Sequence, residues 1–357
     1  MEQTKNKSNV DFWQTKTIVT YFLSVLVFFI HISTFSNYSN EGLIGKLNGL
    51  FSIALTDVLT PIAVPLFFIL SGATMFRNFT KENYVRKLKS RIQTLVIPYL
   101  LWNIVGLIFS LITSYTFISS YFIGRARFEV NLENVLLAIF HHGCNGPFWF
   151  IFNLIIFSVC APLISFLINR RWSGLLFIFI LMVANEYGLG LPETVFYSRL
   201  SLIFYVIGCV IGKHFFNEFS KGDKKHVFTW ATVFLLLVFF YIIRGIAGFA
   251  IPSYVIVVLL TLYAIAFWNI MVELCANRII RYRSFMENSF AVYALHVNVS
   301  AIITKVIYLI LPKNNLFAIF NFVVTVILTL VVIQIICQML KRYAPVIYCT
   351  LMGKSDR

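Results

Sequence analysis

Apolar runs of about twenty residues, the length a helix needs to cross a hydrocarbon core, recur along the chain and are separated by short polar stretches. Ten runs are read, at approximately 17–35, 51–76, 92–115, 147–168, 173–188, 197–215, 227–243, 251–272, 288–311 and 316–340. The fifth is short, and 133–142 reads as an interfacial helix leading into the fourth. The short alternating segments of a membrane barrel are missing from the pattern. The expectation is an all-α, polytopic membrane protein with about ten transmembrane helices, forming a single integral membrane domain over residues 1–357.

Composition supports this pattern. Hydrophobic residues make up 59% of the chain and charged residues 12%, for a mean hydropathy of +0.85. The net charge of +15 does not point to nucleic acid, because the basic residues sit in short segments between runs. With the N-terminus inside, 22 of the 29 lysines and arginines fall in inner segments and 6 in outer ones, with Lys305 inside a run. That alternation predicts an even number of spans, both termini cytoplasmic and a multi-pass protein of the cell membrane. The first run ends in Ser-Thr-Phe-Ser-Asn-Tyr without a small-x-small cleavage site, so it is expected to remain as a span. The six cysteines are scattered and form no CxxC, so neither a disulfide framework nor a zinc site is expected.

His31, near the outer end of the first run, is the leading candidate for chemistry. An imidazole inside a membrane helix marks a functional site or a bond to a neighbouring helix, and the segment alone fits either. Asp57 lies at a similar depth in the second run and could fix the tautomer of His31, or face water. Six cations crowd the segment 77–91, among them Arg86, Lys87, Lys89 and Arg91. They fit phosphate binding or contact with anionic lipid. His141-His142-Gly-Cys144 lacks a fourth ligand and is not read as a metal site. Trp149 suits an interfacial aromatic belt or stacking on a sugar, and Glu186 and Arg199 flank an outer loop where they could meet hydroxyl groups or solvent. Tyr293 and His296 share one helix face in the inner half of the ninth run. They could line a passage or bond a neighbouring helix.

Five landmarks in order resemble acyltransferase family 3, a group of integral membrane acyltransferases. They are His31 after its apolar run, Phe67-Phe68-Ile-Leu-Ser71-Gly72, a basic stretch leading to Pro98-Tyr99, Trp149-Phe150, and Ser289-x-x-x-Tyr293-x-x-His296. The resemblance covers residues 20–296. It implies transfer of an acyl group, often acetyl, from cytoplasmic acyl-CoA to a sugar of a surface polysaccharide or glycolipid. His31 would be the general base, since a sugar hydroxyl needs a proton acceptor with a pKa near neutrality. On this reading Asp57 assists His31. Ser71, Gly72, Arg86, Lys87, Lys89, Arg91, Tyr293 and His296 serve the acyl donor, and Trp149, Glu186 and Arg199 serve the acceptor. Acyl-CoA is a co-substrate, and no tightly bound cofactor or metal is implied.

The chain departs from the family at two places. An arginine often stands eleven positions before the histidine, and an acidic residue shortly before the Phe-Phe pair, where this chain has Thr20 and Pro65. An arginine-dependent role is therefore lost or moved. The rival expectation is a non-enzymatic transporter or glycan exporter lined by His31, Asp57, His296 and Lys305. The lack of an internal repeat and of paired broken helices opposes it.

Overall fold

The computed structural model describes residues 11–32, 42–117, 119, 127–189, 199–311 and 314–354. Lys5, Lys7, Arg125, Lys313 and Arg357, which entered the charge count, lie outside them. The described residues contain helices and no strand. Helix α1 is Phe12–His31, opened by the Asp11 side chain accepting from the Trp13 N–H. Helices α2 (Gly42–Phe76) and α3 (Lys81–Tyr115) are each 35 residues long. Short helix α4 is Leu132–Phe140. A single turn, Gly146–Phe148, leads into α5 (Trp149–Val159), followed by α6 (Ala161–Leu167). Then come α7 (Arg171–Glu186), α8 (Arg199–His214), α9 (Phe216–Lys221), α10 (Val227–Ala247) and α11 (Ser253–Ala276). Helices α12 (Ser289–Ile310), α13 (Ala318–Tyr343) and α14 (Pro345–Leu351) complete the chain.

Seven helices are long and apolar enough to cross a membrane: α1, α2, α3, α10, α11, α12 and α13. The bent pair made by Gly146–Val159 and α6 brings the number to eight. Every run read from the sequence coincides with a helix, but α7 and α8 are only 16 residues long. The fourth run bends by 65°, at the break before Pro162, which has no N–H for the helical ladder. The basic segment read as a loop is helical from Lys81. Thr80 and Asn83 form a reciprocal cap, and a π-turn at Ile92–Val96 joins it to the rest of α3.

Lipid-facing surfaces carry exposed apolar side chains such as Leu235, Leu236 and Phe239 on α10. Inside, α1 packs against α2, α11 and α12, and α12 packs along α13. The most extensive helix contact is between α2 and α8. Small residues bring their backbones together: Gly72 faces Tyr205 and Cys209, Gly208 faces Ile69, and Gly212 faces Ala73. A Cβ at Gly72 would sit 2.8 Å from the Cys209 nitrogen. In lipid, where apolar burial alone does not favour helix association, such close approach supplies the packing. Exposed carbonyls at helix ends find donors. Tyr99 Oη and Asn103 Nδ2 bond the carbonyls of Phe140 and Ile139 at the end of α4. Lys213 and His214 bond those of Ser165 and Ile168 near the end of α6.

Candidate active site

Among the described residues, three cavities border α1; one, lined by Gln14, Thr15 and Ile18 with Cys275 and Arg281, holds none of the sequence candidates, and the other two lie towards the start of α1 and at its end. The first of these two, of about 470 Å³, is lined by Trp13, Lys16, Thr17, Thr20 and Ser24 of α1. Phe67 and Ser71 of α2, Leu95 of α3, Phe150 and Leu154 of α5, and Ser289, Phe290 and Tyr293 of α12 complete most of its wall. Met352 and Gly353, just after α14, close it. The second, of about 720 Å³, is lined by His31, Ser110 and Ser114 of α3, Arg127, Glu129, Asn134, Gly146, Pro147 and Val297. Both volumes suit small-molecule sites. Ser24 and His31 are seven residues apart on α1, about 10 Å along its axis. Helices α1, α3 and α12 each contribute to the first cavity with lower-numbered residues and to the second with higher-numbered ones.

The partition between the cavities is aromatic. Tyr293, on the wall of the first, donates its hydroxyl to the carbonyl of Pro147, on the wall of the second. One turn further along α12 is His296, which has 0% exposure and whose ring centroid lies 5.2 Å from that of His31. Phe28, one turn before His31 on α1, also packs on His296, at 5.6 Å. His296 Nδ1 lies 2.7 Å from the Tyr293 carbonyl and 3.1 Å from that of Val292. Carbonyls only accept, so Nδ1 carries the hydrogen and Nε2 is left with its lone pair. Nε2 is buried and has no hydrogen-bond partner among the described residues. A buried acceptor left bare costs about 1–3 kcal/mol.

The remaining sequence candidates divide. Asp57 sits in the π-turn Ala54–Leu59 of α2, where its carboxylate accepts from Thr56 and lies 3.7 Å from a Cβ built on Gly245 of α10. The ring that meets His31 is instead His296. Ser71 lines the first cavity, whereas the backbone approach that Gly72 permits is to α8. Arg86 and Lys89 are exposed, and Lys87 bonds the Arg77 carbonyl at the end of α2. Arg91 turns inward and lies close enough to Lys16 for the two charges to interact. Trp149 packs on Phe68 and Phe150. Glu186 accepts from the Ser253 backbone N–H at 2.8 Å and from its hydroxyl, capping α11. Arg199 reaches towards Gly188 at the far end of α7.

Some lining residues escaped the sequence reading. Lys16 was assigned to topology, yet it stands one turn before Thr20 on the same cavity wall. Arg127, Glu129 and Asn134 offered no motif. His141 and His142 stack on each other, with ring centroids 4.7 Å apart. Burial, with His141 alongside, pushes His142 down to about 4.

Comparison with known proteins bears on this arrangement at the family level. No curated protein and no solved structure matches the chain. A family profile, acyltransferase family 3, described as an acyltransferase domain, matches residues 21–337, a stretch that holds His31, His296 and most of both cavity walls. The chain, a bundle of apolar helices long enough to cross a membrane, therefore belongs to acyltransferase family 3 and is a membrane acyltransferase.

Proposed function

We propose that the protein transfers an acyl group, acetyl in the simplest case, from cytoplasmic acyl-CoA to a hydroxyl of an extracytoplasmic polysaccharide or lipid-linked glycan. The observation that carries this reading is the pair of cavities that share α1, α3 and α12, one bordered by Tyr293 and the other by His31, whose ring meets His296. The cavity at the start of α1 is the donor side. Lys16 on its wall, with Arg91 beside it, supplies cations for the phosphates of acyl-CoA. Its upper wall is apolar and aromatic, suited to the uncharged arm that ends in the thioester. The cavity at the end of α1 is the acceptor side, where Ser110, Ser114, Asn134, Arg127 and Glu129 offer hydrogen bonds to a sugar. Trp13 and Gly353 line the same cavity, which supports a topology with the start of α1 and the residues after α14 on one side; the Lys/Arg alternation makes that side cytoplasmic.

In the reaction the acceptor oxygen attacks the thioester carbonyl while His31 takes the hydroxyl proton. The new C–O bond forms as the C–S bond breaks, and the proton passes from His31 to the departing thiolate. Products are the ester and free CoA thiol. The test supplies membranes containing the protein with labelled acetyl-CoA and the glycan acceptor, and follows both label transfer and thiol release. Dependence of both on the protein is the expected result. Glycan export without thiol release would establish the transporter instead.

A further inference from the structure

His296 has a feature that wall-lining does not require. Its Nδ1 hydrogen is committed to carbonyls of its own helix, so the ring cannot exchange tautomers without losing those bonds. Its Nε2 is a buried acceptor without a partner among the described residues. Fully buried polar atoms are almost always satisfied, so a bare one beside a reactive group calls for an occupant. The ring beside it is His31, the last residue of α1, which also lines the second cavity. Two imidazoles sharing an N–H···N bond of about 2.9 Å have ring centres about 5 Å apart, and these two are separated by 5.2 Å, at an interplanar angle of 42°. The ring separation is therefore compatible with that bond, which requires a His31 nitrogen to be turned towards Nε2. His296 is the fixed member, held by its helix on one side and by Phe28 and Tyr293 around it.

We propose that His296 is a positioning residue for the acyl transfer: its Nε2 accepts the N–H of His31 and so leaves the other His31 nitrogen, lone pair free, facing the second cavity. A general base needs its proton-free nitrogen towards the hydroxyl, and an imidazole in the wrong tautomer presents N–H instead. In hydrolase triads the group that orients the histidine is worth up to about 10⁴ in rate. Here a neutral acceptor does the orienting, which suits a site surrounded by lipid, where a carboxylate would be costly. The inference rests on the acyltransferase reading with His31 as base.

The test compares His31→Gln, His296→Leu, His296→Gln and the double variant His31→Gln/His296→Leu in membranes with acetyl-CoA and acceptor, at matched protein abundance. His296→Leu keeps the bulk without the acceptor, and His296→Gln places an acceptor oxygen near the Nε2 position. The expected result is a kcat at least about tenfold lower in His296→Leu, with the KM for acetyl-CoA within twofold. Recovery of most of that loss is expected in His296→Gln. Because His296 acts through His31, the double variant should be no slower than His31→Gln alone. A wild-type kcat in His296→Leu overturns the proposal while His31→Gln remains inactive. So does a raised KM with unchanged kcat, which would make His296 part of the donor wall. An active His31→Gln enzyme is a separate failure, because it removes the base itself. Where His296→Leu does not accumulate, His296→Gln and His296→Asn decide. Gln should be active and Asn, whose oxygen stops near Nδ1, inactive, and equal activity in the two overturns the proposal.

Discussion

His31 stands at the end of a helix that lines the first cavity with Trp13, Lys16, Thr17, Thr20 and Ser24. The histidine was legible in the sequence because an ionisable group in an apolar run is rare and expensive. Its neighbour was not, because α1 and α12 are separated by more than 250 residues and nothing in either run says that they touch. Asp57 was the candidate for orienting His31 because depth along the membrane was the only coordinate available, and depth does not say which way a side chain faces. His31→Gln keeps hydrogen-bonding capacity but cannot take a proton. It should lower kcat by about 10²–10⁴ in the acetyl-transfer assay, with insertion and abundance unchanged on a blot. The basic cluster separates in the same way. Lys16→Gln and Arg91→Gln should each raise the KM for acetyl-CoA roughly tenfold, the scale of one charged hydrogen bond. Arg86→Gln and Lys89→Gln, whose side chains are exposed, should change it less than twofold. Equal effects at all four positions would mean a diffuse electrostatic attraction rather than a defined contact.

At the scale of elements, the positions of the helices followed from hydropathy, and their breaks followed from local chemistry. The Thr80–Asn83 cap and Pro162 after the bend explain two departures from the expected limits. What hydropathy does not encode is partner choice. Gly208 and Gly212 are spaced as a helix-contact motif, yet only the structure shows that Ile69, Gly72 and Ala73 form the opposing surface. The Ser71-Gly72 pair thus has two orientations and two consequences, one towards the first cavity and one towards α8. Gly208→Leu drives a side chain into the Ile69 backbone and should destabilise the bundle by about 1–3 kcal/mol or more, as overpacking does. Thermal unfolding of detergent-solubilised protein should show a lower midpoint, with Gly146→Leu, whose Cβ would meet open space, as the control. A wild-type midpoint for Gly208→Leu would mean that the α2–α8 contact is loose.

For the molecule as a whole, alternation of lysine and arginine predicted the sidedness, and the cavities now add an independent constraint. The start of α1 and the residues after α14 border one cavity and so lie at one depth of the bundle. Reporter fusions after Lys354 and beside Glu129 should report opposite sides of the membrane, the first cytoplasmic. Agreement of the two on one side would sink the topology. The assembly of the first cavity also imposes an order in time. Its last wall is held by Trp102, whose Nε1 bonds the Leu351 carbonyl at 3.0 Å, by Gly353 against Thr94, and by the 2.8 Å ion pair between Lys354 and Glu287. During synthesis α1 is made more than 300 residues before Leu351, Gly353 and Lys354. The nascent bundle therefore passes through a stage in which the long helices are made and the first cavity still lacks a wall. A chain halted after Tyr343 would be trapped at that stage, with the first cavity open on the side that Met352 and Gly353 close.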